Sequence, residues 1–216
     1  VAPLHCRMTR NRHAAIFVVD GTQGVGALEL NLHGLPVDVL ATAAYKWLLG
    51  PYGVGFAYLR PEIQERLDLP VINWMAVEGS EDFDSLPVED YTLVEGARVF
   101  DVPETPSFLN LYGLEASLEF VANAGVRTVT EHCRRLLDRL ADGLRRQGFR
   151  LSPSALLEHQ STILGFEAQS RQATTNLYEK LLAHHVAVSL RHGVIRVAPY
   201  LYNTEEEIDA LLQLTP

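Results

Sequence analysis

Asp20-Gly21-Thr22-Gln23 closes one apolar run, and Tyr45-Lys46-Trp47-Leu48-Leu49-Gly50-Pro51-Tyr52-Gly53-Val54-Gly55 follows the next. The first run, Ala15-Ile16-Phe17-Val18-Val19-Asp20, is continuously apolar until it ends in an acid and a glycine, the pattern of a buried parallel strand. A second strand is predicted from Val37 to Ala43, reached through Gly34 and Pro36, and a third from Gly53 to Leu59, ending at Arg60-Pro61. Asp20 then stands at the C-terminal tip of one strand and Lys46 just past the tip of the next. Open α/β sheets bind ligands at the carboxyl ends of their strands, so two unlike charges are expected to converge on one crevice.

Beyond this block the periodicity turns helical. Pro61 to Leu67, Phe108 to Ala124 and roughly Val126 to Gln147 are predicted helices; the last two carry apolar residues at three- and four-residue spacing and stop at Gly125 and Gly148. Asn73 to Phe100, rich in acids and loop formers, reads as irregular. After Gly148 the elements shorten: a strand over Ser161 to Phe166, a helix over Thr174 to His184, a strand pair over Val186 to Leu190 and Val194 to Ala198, and a last helix over Thr204 to Leu214. Thr204 with Glu207 forms a capping box at its start. The expected organisation is a partial large α/β domain with a mostly parallel sheet over 1–125 and a small C-terminal α/β domain over 126–216.

Composition narrows the partners. With 47% hydrophobic residues the chain has the material for a packed core, and no run of 18 or more apolar residues predicts a membrane span. Eighteen Lys and Arg against 27 Asp and Glu leave a net charge of -9, which repels a nucleic-acid backbone. Cys6 and Cys133 are far apart and lack metal-ligand spacing, and His132, His159, His184, His185 and His192 show no metal-binding spacing either. A cytoplasmic protein without a metal site is expected. The chain opens on Val1 and enters a hydrophobic strand almost at once, the pattern of an N-terminally truncated sequence.

A lysine and a carboxylate at adjacent strand tips are what pyridoxal phosphate requires. The amine holds the aldehyde as a Schiff base, and the carboxylate keeps the pyridine nitrogen protonated. Gln23, three residues past Asp20, is placed to reach the cofactor's phenolic oxygen, and the glycines from Gly50 to Gly55 let backbone pass close to the site. An acid before a glycine is in other settings a turn, and a lone lysine a solvated surface residue; here the motifs occur together and in order.

With those residues the chain resembles the aminotransferase class V group, which includes cysteine desulfurases and isopenicillin N epimerase-like proteins. The likeness runs over essentially the whole chain and includes Arg196-Val197-Ala198-Pro199-Tyr200-Leu201-Tyr202-Asn203-Thr204-Glu205-Glu206 near the end. It implies a fold type I enzyme working as a homodimer on an amino-acid substrate. Lys46 would form the Schiff base and act as general base, Asp20 and Gln23 would hold the ring, and Arg196 would bind the substrate carboxylate. An arginine in a strand also commonly pairs with an acid.

Three departures qualify the likeness. Tyr45 stands where relatives place histidine, keeping an aromatic body and a hydroxyl toward the cofactor but no imidazole. Ala43 replaces a phosphate-binding Ser or His, and Thr42 should point to the other strand face. The stretch Val188 to Arg196 holds no cysteine, so persulfide-type desulfurase chemistry is disfavoured against lyase, epimerase or aminotransferase chemistry. Thr105 is either a contact to a neighbouring subunit's phosphate or part of the start of the next helix. The alternative to an enzyme is a truncated, non-catalytic remnant or scaffold subunit unable to hold the cofactor alone.

Overall fold

The computed structural model describes residues 15–68, 72–87, 89–102, 107–152 and 161–215. The chain divides into two compact units, Val1–Asn123 and Ala124–Pro216. In the first, β1 (Val18–Asp20), β2 (Val39–Ala43) and β3 (Gly55–Leu59) form a sheet in that order. β1 runs parallel to β2 with Asp20 opposite Ala41, whereas β2 and β3 are antiparallel with Ala43 opposite Gly55. The 44–54 connection is too short for the crossover that a parallel neighbour requires.

The first strand differs from its sequence reading. Only three residues form the strand; ahead of it Phe17 donates its backbone N–H to the Asp38 carboxylate at 2.8 Å, and its carbonyl accepts from the Asp38 and Val39 N–H groups. Val18 is 61% exposed although the run was expected to be buried. Its strand pairs on one edge only, and no described residue pairs with the other. Asp38 itself is buried and also meets Arg60 Nε at 3.4 Å, while Arg60 donates to the carbonyls of Leu35 and Val37. This ties the start of β2 to the end of β3, at the end of the sheet away from Asp20.

After β3 comes α1 (Pro61–Gln64), with proline at its first turn where no N–H is needed. The acid-rich 73–100 segment is irregular as expected, built from 3₁₀ turns at Trp74–Ala76, Phe83–Ser85 and Gly96–Phe100. Helix α2 (Phe108–Ala124) follows, and its Leu114 packs with Ala44 and Leu48 in a small core directly beneath the Lys46 turn.

The second unit contains α3 (Val126–Arg146), β4 (Arg150–Leu151), β5 (Leu164–Glu167), α4 (Arg171–Ala183), β6 (Ser189–Arg191), β7 (Val194–Val197) and α5 (Glu205–Leu214). Its sheet is wholly antiparallel in the order β4-β5-β7-β6. Helix α4 starts earlier than its apolar pattern suggests because the Ser170 hydroxyl caps it, accepting from the Ala173 N–H. The Thr204–Glu207 capping box is formed in both directions. Leu136, Leu140 and Leu144 of α3, Leu181 of α4 and Ile208 of α5 pack against Phe166 and Ile195 of the sheet.

Phe166 is fully buried and meets Phe149 edge-on at 5.5 Å. Truncation there leaves a cavity that the surrounding helices cannot close. Phe166→Ala should therefore destabilise the protein by about 3–5 kcal/mol, measured as a shift in the chemical-denaturation midpoint followed by circular dichroism.

Candidate functional site

Parallel pairing brings the C-terminal ends of β1 and β2 side by side, and the loop leaving β1 is bonded three times to the end of β2 and the turn after it. The Gly21 N–H donates to the Ala41 carbonyl at 2.7 Å. The Ala43 N–H donates to the Thr22 hydroxyl at 3.2 Å, and the Trp47 indole N–H donates to the Gln23 amide oxygen at 3.2 Å. Residues 43 and 47 flank Lys46, so the lysine is carried on a turn fastened on both sides to the loop that begins at Asp20. Within that turn Leu49 donates to the Lys46 carbonyl and Gly50 to that of Ala44.

Asp20 is exposed at its strand tip. Its carboxyl is held below the ordinary 3.8, first by the Thr22 hydroxyl, then by the Thr22 backbone N–H at 2.9 Å, with a smaller contribution from the positive charge of Lys46. Thr22 thus accepts from the second strand end with its oxygen and turns its proton to Asp20. Sequence reasoning passed over Thr22, although an acid followed two residues later by threonine is a familiar turn pattern. Thr42, in contrast, is buried and donates to the Ala43 carbonyl.

An open cleft of about 550 Å³ lies beside these strand ends, with Asp20, Thr22, Tyr45, Tyr52 and Phe56 among its lining residues. The rings of Tyr45 and Tyr52 stack at 4.5 Å with an interplanar angle of 16°, and Lys46 Nζ lies 5.6 Å from the Tyr45 ring centre. Lys46 and Gln23 stand next to the cleft and are not part of its wall. The 50–55 turn behaves as its glycines suggest. Gly53 has φ of +83°, and a Cβ on Gly55 would collide with the Thr42 carbonyl oxygen.

Arg196 belongs to the second unit, on β7 between the buried Ile195 and Val197 and therefore on the sheet face opposite its core. Its register partners are Gly165 and Ser189. Thr105 and Cys6 lie outside the described residues. Cys133 is fully buried in α3, its Sγ donating to the Pro199 carbonyl at 3.3 Å, and burial pushes the thiol up to about 11. Among the described residues no cluster of His, Cys, Asp and Glu is placed to hold a metal ion, and no helix is long and apolar enough to cross a membrane.

Comparison with known proteins identifies the family. The family model described as aminotransferase class-V matches residues 5–211, and the chain belongs to that family. It is 29% identical over 91% of its length to an uncharacterized aminotransferase, YcbU, of Bacillus subtilis, covering 50% of that protein. It is 30% identical over 90% of its length to an isopenicillin N epimerase of Streptomyces clavuligerus, again covering 50%. The apo structure of a cysteine desulfurase from Thermococcus onnurineus superposes with a TM-score of 0.76 at 22% identity, over 96% of this chain and 53% of that one. The chain thus has the fold type I architecture and spans about half the length of the curated relatives it matches.

Two outcomes follow from the local chemistry. Thr22→Val removes the hydroxyl from Asp20, so the carboxyl should titrate closer to its ordinary value, read from the pH dependence of its ¹³C resonance. Because the folded value is depressed, the ionised form's contribution is present above the ordinary value and is lost as pH falls through the folded one. Cys133, neutral until about pH 11, should stay unmodified by a thiol reagent at pH 8 in the folded protein and react fully once it is unfolded.

Proposed function

We propose that the protein is a pyridoxal-phosphate enzyme acting on an amino acid, with Lys46 as the residue that holds the cofactor. The observation that supports this reading is that Asp20 ends β1 and Lys46 follows closely after the end of the parallel β2, with the neighbouring Ala43 and Trp47 hydrogen-bonded to Thr22 and Gln23 of the loop after Asp20. The donor set fits the group. An exposed carboxylate kept anionic suits a protonated pyridine nitrogen, and a primary amine suits an aldehyde. When bound, pyridoxal phosphate supplies an electron sink for a bond breaking at the substrate's α-carbon.

The chain's own residues then have separate tasks. Asp20 would hold the ring nitrogen with its negative charge, and Gln23 would offer its amide to the phenolic oxygen. Tyr45 and Tyr52 provide an aromatic wall beside them. Lys46, which would hold the cofactor, would also serve as the general base for the α-proton with its free amine. Arg196 is assigned to the substrate carboxylate, which every amino acid offers in the same form, so it orients substrates without choosing among them. Homodimeric assembly and a role for Thr105 toward a neighbouring subunit belong to the same proposal.

Relatives with desulfurase, epimerase and aminotransferase names share this frame, and the fold does not decide among their reactions. Persulfide chemistry needs an accessible thiolate. Cys133 is enclosed and neutral, which favours lyase, epimerase or aminotransferase chemistry over sulfur transfer through that residue.

Incubation with pyridoxal phosphate should produce a visible absorbance band. Borohydride reduction should then fix the cofactor's mass on the peptide containing Lys46, and Lys46→Ala should lose both signals. Equal uptake by Lys46→Ala would overturn the assignment, and no uptake by the unsubstituted protein would favour a non-catalytic scaffold. Asp20→Asn should retain the band yet turn over at least about tenfold more slowly, equivalent to 1.4 kcal/mol of transition-state stabilisation; undiminished turnover would leave Asp20 a structural residue only.

A further inference from the structure

The indole of Trp47 has a donor and no acceptor, which fixes more than one hydrogen bond. Its N–H lies 3.2 Å from Gln23 Oε1, and because an indole nitrogen can only donate, the amide oxygen must be the atom that faces it. The two ends of a glutamine amide are chemically opposite, so the NH₂ of Gln23 is turned away from Trp47 with both protons available for other acceptors. Without that partner the side chain, exposed on its loop, would turn freely and present oxygen or nitrogen alike. Trp47 is itself only 7% exposed, held in place next to Lys46 in sequence, while its backbone carbonyl lies close beneath Gly26 of the Asp20 loop.

We propose that Trp47 is a positioning residue that orients the Gln23 amide so that its N–H, and not its oxygen, is directed at the cofactor's phenolic oxygen. This rests on the proposed cofactor reading, in which Gln23 meets that oxygen. A correctly turned amide donates to the phenolic oxygen and favours its anionic form. A reversed amide sets oxygen against oxygen, which raises the proton affinity there. The same bond fastens the turn that carries Lys46, so the lysine and the amide share one support on the indole.

The test compares the protein with Trp47→Phe, which keeps an aromatic body and loses the donor, with Gln23→Ala, and with the double variant. Each is loaded with pyridoxal phosphate, and the pH midpoint of its visible absorbance change is recorded. Trp47→Phe and Gln23→Ala should both move the midpoint upward, by roughly half a unit or more. The double variant should move it no further than Gln23→Ala does, since a residue acting through another has no effect once that other is gone.

A midpoint unchanged in Trp47→Phe, or shifts that add in the double variant, would overturn the positioning role while leaving the cofactor assignment intact. Absence of borohydride-fixed cofactor on Lys46 in the unsubstituted protein would instead overturn both. Should Trp47→Phe not fold, the unloaded protein decides. The Trp47 indole ¹⁵N–¹H resonance is expected to shift on Gln23→Met, a change confined to an exposed side chain, and an unmoved resonance would overturn the hydrogen bond and the inference with it.

Discussion

Everything at the candidate site depends on the parallel pairing of β1 with β2. Parallel strands point their carboxyl ends the same way, so the loop after Asp20 and the turn bearing Lys46 emerge side by side although they are far apart in sequence. Three hydrogen bonds then tie the loop after Asp20 to the end of β2 and the turn beyond it: Gly21 to Ala41 between backbone groups, Ala43 to the Thr22 hydroxyl, and the Trp47 indole to Gln23. At the other end of the sheet, buried Asp38 binds the backbone ahead of β1 and the Arg60 side chain. Asp38 is buried while Arg60 keeps part of its side chain in solvent, so the carboxylate depends on the arginine and the Phe17 N–H more than the arginine depends on it.

The turn between β2 and β3 meets a second constraint, the space available to its backbone. Gly55 passes so close to the Thr42 carbonyl that no side chain fits, and Gly53 adopts a left-handed conformation that other residues reach only with strain. Leu49 does occupy that region, with φ of +57°, just after the lysine. Its backbone is held there by hydrogen bonds on either side, from Leu49 to Lys46 and from Gly50 to Ala44. Strain of this kind persists where the surroundings over-determine the conformation, and functional sites are where it concentrates.

The second unit is stabilised differently. Its sheet is antiparallel and its core is a layer of leucines from α3, α4 and α5 closed over Phe166 and Ile195. Arg196 stands between two core residues and points to the opposite face simply because strand side chains alternate. The enclosed Cys133 is part of the same packing logic: a small apolar group in a helix core, with its weak donor satisfied by a carbonyl.

Much of this was legible in the sequence. Periodicity located α2 and α3 nearly to the residue and the Thr204–Glu207 pair located α5, because caps, turns and apolar stripes are local properties of the chain; the order of Asp20, Gln23, Lys46 and the glycine turn pointed to a candidate site. Helix α4 was misjudged at its start because the Ser170 cap, not the apolar stripe, sets the first turn. Other features required tertiary structure. The exposure of Val18 depends on which neighbours a strand has, and the antiparallel course of β3 on how the chain returns from the Lys46 turn. The hydroxyl of Thr22 and the indole of Trp47 reach partners twenty-one and twenty-four residues away. Local pattern specifies which residues are available for chemistry; only the pairing of distant strands decides which of their polar atoms meet, because a hydrogen bond depends on distance and direction in space, and sequence spacing encodes neither across a fold.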